Sequence, residues 1–296
     1  MAKPACGIVA QADGRFPVTH ALFASLMVLA GSSPALGAPA AVPVPTDAEC
    51  APLPDLRRPL SFKPGEMLAF ELDALGARAG RLTIRVLPQK DGALPVQAEV
   101  ETNTFFSKVR RLKGAATSYL NPKSLRPAHY VEDALENGVR KAAEVNFEPK
   151  DHTVSGTFST NERQERAKFR FANDGLDAAG AIYLLRQLPF QPGKVLCFDA
   201  YGVRKLWRVS GKVEGKERIT VPLGEFDAWH LSGQAVRLDD PRHHREIHVW
   251  ISDDARRLPL VALGVVDLGT VRATLMEVVR PGEKRIRAEG KETLRW

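Results

Sequence analysis

The sequence predicts a mostly β protein: a large curved antiparallel sheet, an open or half-closed β-barrel, wrapping one buried helix. Three observations carry that expectation. Apolar and polar residues alternate with a period of two through most of residues 61–280. Short turns such as Glu136-Asn137-Gly138 and Asp267-Leu268-Gly269 join successive runs, which implies antiparallel neighbours. One segment, 176–188, breaks the alternation and is apolar on nearly every face. A helix of that kind must be buried on most sides, so the sheet around it must curve to cover it.

Residues 1–38 read as a cleaved export signal, because Lys3 and Arg15 precede the apolar stretch from Ala21 to Ala30, and small residues Ala35, Gly37, Ala38 and Ala40 follow. That stretch is too short to span a bilayer. Residues 39–60 hold six prolines (Pro39, Pro43, Pro45, Pro52, Pro54 and Pro59) and form an extended tether. A single curved-sheet domain is expected over 61–280, with a basic tail over 281–296.

Within the domain the first two strands are read from Leu68, Phe70 and Leu72, then from Leu82, Ile84 and Val86, each alternating with polar or small neighbours. Further runs lie near 94–104, 108–119, 127–136, 139–148, 153–160 and 164–171. The helix follows a cap at Asp174 or Asp177 and stops at Pro189; Leu176, Ala179, Ile182, Tyr183, Leu184, Leu185 and Leu188 supply its apolar faces. Beyond it, strands are expected near 194–201, 204–214, 217–222, 226–237, 244–252, 258–265 and 268–279.

Loss of the leader removes Cys6 and leaves Cys50 and Cys197 in a chain sent to an oxidising compartment, so the pair is expected to form a disulfide; two buried free thiols are the alternative. Three cysteines exclude a four-cysteine metal cage.

The chemistry-bearing motifs are few. There is no Gly-x-Ser-x-Gly, no phosphate-binding glycine loop and no Cys-x-x-Cys-His. The best metal candidate is the run His243 to His248. On a strand His244, Glu246 and His248 share one face, yet the outer two stand ~13 Å apart. One ion would therefore have to recruit Asp239, Asp240 or His230 from the adjoining strand. Trp250 continues that face and makes it an aromatic, His-lined surface. Asp253 and Asp254 are an acid/base candidate only if one has a shifted pKa; Arg256 and Arg257 are the partners expected to neutralise them. The net charge of +7 concentrates at Lys108, Arg110, Arg111 and Lys113 and in the tail. For an exported chain that favours an anionic envelope surface, not nucleic acid.

Three stretches, Leu185 to Gly193, Val221 to Ala228 and Val249 to Pro259, together with Lys63-Pro64-Gly65-Glu66, resemble the bacterial family named domain of unknown function 3108 over residues 61–279. The resemblance implies an exported envelope protein and confers no catalytic residues. Its all-β character is also similar to that of periplasmic carriers of lipoprotein acyl chains, an analogy of fold alone.

The expectation is thus a periplasmic, non-catalytic envelope protein without a cofactor. It would bind a lipid or other apolar ligand, or an envelope partner, in or on the sheet, with Tyr183, Leu184, Leu185 and Trp250 facing the ligand. The alternatives are a metal-dependent hydrolase centred on His244 and Glu246, and an interaction module with a fully packed core. Oligomeric state has no signature in the sequence.

Overall fold

A computed structural model describes residues 44–288 except 203, 267 and 268. The expected leader, the start of the tether, most of one expected turn (Asp267-Leu268) and the end of the tail (289–296) lie outside the described residues.

The expected large sheet around one helix is present, mostly antiparallel, with 16 strands among the described residues. Eight form an uninterrupted meander: β1 (Met67–Ala74), β2 (Ala77–Val86), β3 (Leu94–Thr102), β4 (Leu112–Leu120), β5 (Pro127–Glu136), β6 (Val139–Glu148), β7 (Thr153–Thr160) and β8 (Arg163–Arg170). After β9 (Gly175–Asp177) and the helix α1 (Ala178–Leu185), a second meander runs through β10 (Val195–Gly202), β11 (Lys205–Val221), β12 (Gly224–Arg237), β13 (His244–Ser252), β14 (Pro259–Val266) and β15 (Gly269–Val279). The meanders join where β15 pairs with β1, and β16 (Ile286–Arg287) adds to β15. The β5–β6 hairpin shows why the turns are legible: Asn137 and Gly138 have φ of 49° and 83°, the left-handed pair that a two-residue hairpin turn requires.

Two expectations are corrected in detail. The runs 204–214 and 217–222 are one strand, β11, because the register merely shifts between Val213 and Gly215 as a bulge. The helix is shorter than 176–188. Leu176 and Asp177 pair in parallel with Ala200 and Tyr201 of β10, and the chain leaves the helix after Leu185 through turns in which Gln187 and Leu188 donate to the carbonyls of Leu184 and Leu185.

The strand β10 is buried without alternation from Leu196 to Tyr201. Phe198 and Ala200 belong to the main core between the two meanders, whereas Tyr201, on the other face, belongs to a second core with Tyr130, Phe147, Val154, Phe158 and Phe171. The β5–β8 limb therefore folds over β10, and a strand covered on both faces reads as a continuous apolar run. This is how the sheet closes on itself. The helix packs against β3, β4 and β10 inside.

Residues 44–60 form no strand but lie against the body. Cys50 is bonded to Cys197 of β10, with an S–S distance of 1.98 Å, Leu53 is buried and its N–H donates to Asp174 at 2.7 Å, and the Arg57 N–H donates to the Gln187 carbonyl at 2.7 Å.

Candidate functional site

The residues expected to face a ligand separate into two places. Tyr183 and Leu184 are fully buried on α1, inside the main core, while Leu185 is less completely enclosed. Leu185 packs against the edge of the same main core. Trp250 is on β13, on the opposite surface of the sheet from Ile251, and does not join the helix residues.

What holds α1 is a buried ionic knot that local sequence patterns do not show. Arg186 and Glu66 both have side chains at 0% exposure, and the guanidinium grips the carboxylate at two points: Nη1 to Oε1 at 2.6 Å and Nη2 to Oε2 at 3.1 Å. Arg186 also donates to the carbonyls of Arg257 and Arg256, and the Tyr183 hydroxyl donates to Glu66 at 3.3 Å. Arg280 lies 3.3 Å from the same carboxylate, so the first basic residue beyond β15 is spent internally. Arg257 does not pair with Asp253 or Asp254 as expected. Its Nε and Nη2 donate to the carbonyls of Arg186 and Leu188, which satisfies acceptors that a helix end leaves free, and it lies 4.2 Å above the Phe190 ring. Three of the four stretches that carried the family resemblance thus meet here: Glu66, then Arg186 to Phe190, then Arg256 and Arg257. The fourth joins at its end, where the Asp253 N–H donates to the Asp227 carbonyl.

The helix N-terminus is equally fixed. The Asp177 side chain caps it, accepting from the Gly180 N–H at 2.7 Å and from the Ser118 hydroxyl. Burial pushes its carboxyl up to about 6, even though the hydrogen bonds from Gly180, Ser118 and Ala179 pull the other way.

Neither carboxylate of the Asp253-Asp254 pair is poised to donate a proton. Burial would raise both, but hydrogen bonds outweigh it: Asp253 accepts from Lys216 and Trp229, Asp254 from Arg256 and Ser252, and both lie below the usual carboxylate range.

On the outer surface β13 is regular from His244 to Trp250 against β12, so His244 stays four register positions from His248, and the strand does not bring His244, Glu246 and His248 around one point. Instead His230, directly opposite Trp250 on β12, comes to His248, with its Nε2 3.0 Å from the His248 Nδ1. The His230 ring stacks on Trp250 at 4.4 Å between centroids and 4° between planes. Glu217 lies 3.6 Å from the His230 Nδ1 and accepts from the Trp250 Nε1, and Glu246 lies 3.0 Å from the His248 Nε2. Asp239 and Asp240 are engaged by Lys205, Arg237, Arg242 and His243. Among the described residues no three His, Cys, Asp or Glu side chains gather as a metal cluster.

The expected basic stretch at 108–113 is half neutralised: Arg110 joins Lys141 on the buried Glu136, and Lys113 pairs with Glu101. Lys108 and Arg111 stay exposed without an ion-pair partner among the described residues, and a second group of free cations lies on β8. Arg166, Lys168 and Arg170 alternate along the edge strand β8, all exposed and without an ion-pair partner among the described residues. Arg166 and Lys168 border a shallow cleft of about 570 Å³ whose other walls include Glu144, Asn146, Ser155 and Thr157.

No curated protein matches the sequence. Among solved structures, a β-barrel-like protein of domain of unknown function DUF1849 from Brucella abortus is similar with a TM-score of 0.54 at 8% identity, covering 76% of this chain and 99% of its own. A hypothetical protein from Chlamydia trachomatis aligns with a TM-score of 0.32 at 10% identity, over 78% of this chain and 95% of its own. A protein inferred to be exported, from Bacteroides fragilis, aligns with a TM-score of 0.30 at 8% identity, over 76% and 100%. The first likeness concerns the fold alone, and matches the curved, nearly closed sheet seen here. Residues 69–276 match the family described as Protein of unknown function (DUF3108), within the span that the four motifs mark out, and the chain belongs to that family.

Proposed function

We propose that the protein is an exported, non-catalytic binding protein of the cell envelope that engages anionic lipid headgroups on the outer surface of β6–β8. The observation that carries this reading is the basic ladder Arg166, Lys168 and Arg170, exposed, unpaired and on the free edge of the sheet. The disulfide supports an oxidising compartment, and the periplasm is the one we assign. An acyl chain in the hollow is the less favoured ligand, because it would have to displace Tyr183 and Leu184 from full burial and break the Glu66–Arg186 pair. A cation near an anionic membrane contributes about 1 kcal/mol, so three give about 3 kcal/mol, a reversible attraction on the order of 100-fold. Salt screens it.

The experiment is co-sedimentation of the purified protein with phosphatidylglycerol-containing vesicles and with pure phosphatidylcholine vesicles. Binding to the first alone, lost at high salt and in the triple variant Arg166→Glu, Lys168→Glu, Arg170→Glu, supports the reading. Equal binding to both vesicles, or retention by the triple variant, overturns it. An acyl lipid found by native mass spectrometry in protein from its own host would restore the carrier.

A further inference from the structure

The outer surface of β12 and β13 holds an arrangement that the proposed membrane contact does not use. Two imidazoles on neighbouring strands face each other with His230 Nε2 and His248 Nδ1 3.0 Å apart. Each ring then has a carboxylate at its far nitrogen: Glu217 Oε1 at 3.6 Å from His230 Nδ1, and Glu246 Oε1 at 3.0 Å from His248 Nε2. Carboxylate, imidazole, imidazole, carboxylate form one line across three strands. We infer that His230 and His248 form a two-histidine binding site for a divalent transition-metal ion of the zinc and copper class.

The spacing carries the argument. Two nitrogens bound to one tetrahedral ion at ~2.0–2.1 Å stand about 3.3 Å from each other. The 3.0 Å seen here is the separation of two nitrogens sharing a single proton, and an ion replaces that proton when each ring turns by about 35° to aim its lone pair at a common point. The turn needs no strand movement, because both rings are half-buried at the surface. The carboxylates fit the same reading. A metal-binding histidine ordinarily donates its other N–H to a carboxylate or carbonyl, which fixes the tautomer and raises the basicity of the ligating nitrogen. Glu246 stands where that role requires, 3.0 Å from His248 Nε2; Glu217, 3.6 Å from His230 Nδ1, accepts instead from the Trp250 Nε1 and adds negative charge beside the ring. Imidazole nitrogens prefer zinc, copper and nickel over calcium or magnesium.

Trp250, parallel to His230 at 4.4 Å, walls one side of the site and reports on it. Because no third His, Cys, Asp or Glu among the described residues joins the pair, water fills the remaining coordination positions, and the ion keeps exchangeable sites. His244 has no place in this site, which distinguishes it from a site built along β13.

The experiment uses tag-free mature protein titrated with Cu2+ and Zn2+ by calorimetry, with tryptophan fluorescence followed in parallel. One equivalent is expected to bind, and Cu2+ is expected to quench Trp250. His230→Ala and His248→Ala should each abolish the one-to-one event while leaving the unfolding transition in place. Glu246→Gln should weaken it about 10- to 100-fold, the range for removal of a supporting carboxylate. His244→Ala should change nothing. Absence of saturable binding by the unaltered protein, persistence of binding in the His230→Ala, His248→Ala double variant, or loss of binding in His244→Ala would each overturn the assignment.

Discussion

Glu66 and Arg186, 120 residues apart in the chain, form a two-point ion pair with neither side chain exposed. One belongs to the turn that enters β1 and the other to the turn that leaves α1, so the pair ties the helix to the seam of the sheet. The charges are further satisfied by Tyr183, Arg280 and two backbone carbonyls. A buried pair so completely bonded escapes the usual desolvation deficit only while every member is present.

Removing one partner should therefore be costly. Glu66→Gln leaves two guanidinium groups, Arg186 and Arg280, against a neutral amide, and Arg186→Met leaves Glu66 with Arg280 and the Tyr183 hydroxyl; each change should destabilise the protein by about 3–5 kcal/mol. The combined variant should lose less than the sum of the two. Urea unfolding midpoints at unchanged slope measure this, and strict additivity would show that the two side chains do not depend on each other.

The two leucines at the end of α1 should respond differently. Leu184 is fully buried, and Leu184→Ala should cost ~2–5 kcal/mol through lost burial and a residual cavity. Leu185 is half-buried, and Leu185→Ala should cost about 1 kcal/mol. Equal losses would place Leu185 in the core after all.

Asp177 predicts a pH effect of a definite sign. Its folded pKa of about 6 lies above the ordinary aspartate value of 3.8, so the folded state binds the proton more tightly than the unfolded state. The contribution is complete below the unfolded value and lost as pH rises through the folded one; it falls by about 3 kcal/mol across that window and is flat above. Asp177→Asn keeps a capping oxygen but cannot ionise. Relative to the unaltered protein, its stability should rise between pH 4 and pH 6 and then stay constant, as read from denaturant unfolding at several pH values. A pH-independent difference would mean that Asp177 does not titrate in that window.

Most strands were legible because a half-buried strand advertises itself through alternation, and turns such as Asn137-Gly138 through residues that tolerate positive φ. Even the helix was legible as a break in period, since nothing else within 61–280 is apolar on nearly every side over that length. Its limits were not, because Leu176 and Asp177 take their conformation from β10, a partner more than twenty residues ahead. Arg186 was visible only as a polar intruder on an apolar helix. Its meaning depends on Glu66, and no local pattern links a Lys-Pro-Gly-Glu turn to a helix end 120 residues later. The facing histidines fell between these cases. His230 was on the list of residues that β13 would have to recruit, but the strand register decides that it meets His248 and leaves His244 aside. Glu217 was missed because the bulge at Gly215 sets its position, and a bulge has no period.

The order of strands has a consequence for how the chain assembles. Every neighbour within β1–β8 and within β10–β15 is also the neighbour in sequence, so each meander can grow by adding one hairpin at a time as it is synthesised. Only the β1–β15 joint, from Ala74 with Val271 to Met67 with Val279, requires the two ends of the domain to find each other. Until the last long strand arrives, β1 offers an open edge, and the ion pair beneath it lacks the arginine supplied from beyond β15. The joint therefore acts as a completion signal: a chain truncated before residue 269 would retain two sets of local hairpins but no closed interior, and its free β1 edge would make it a substrate for aggregation or proteolysis.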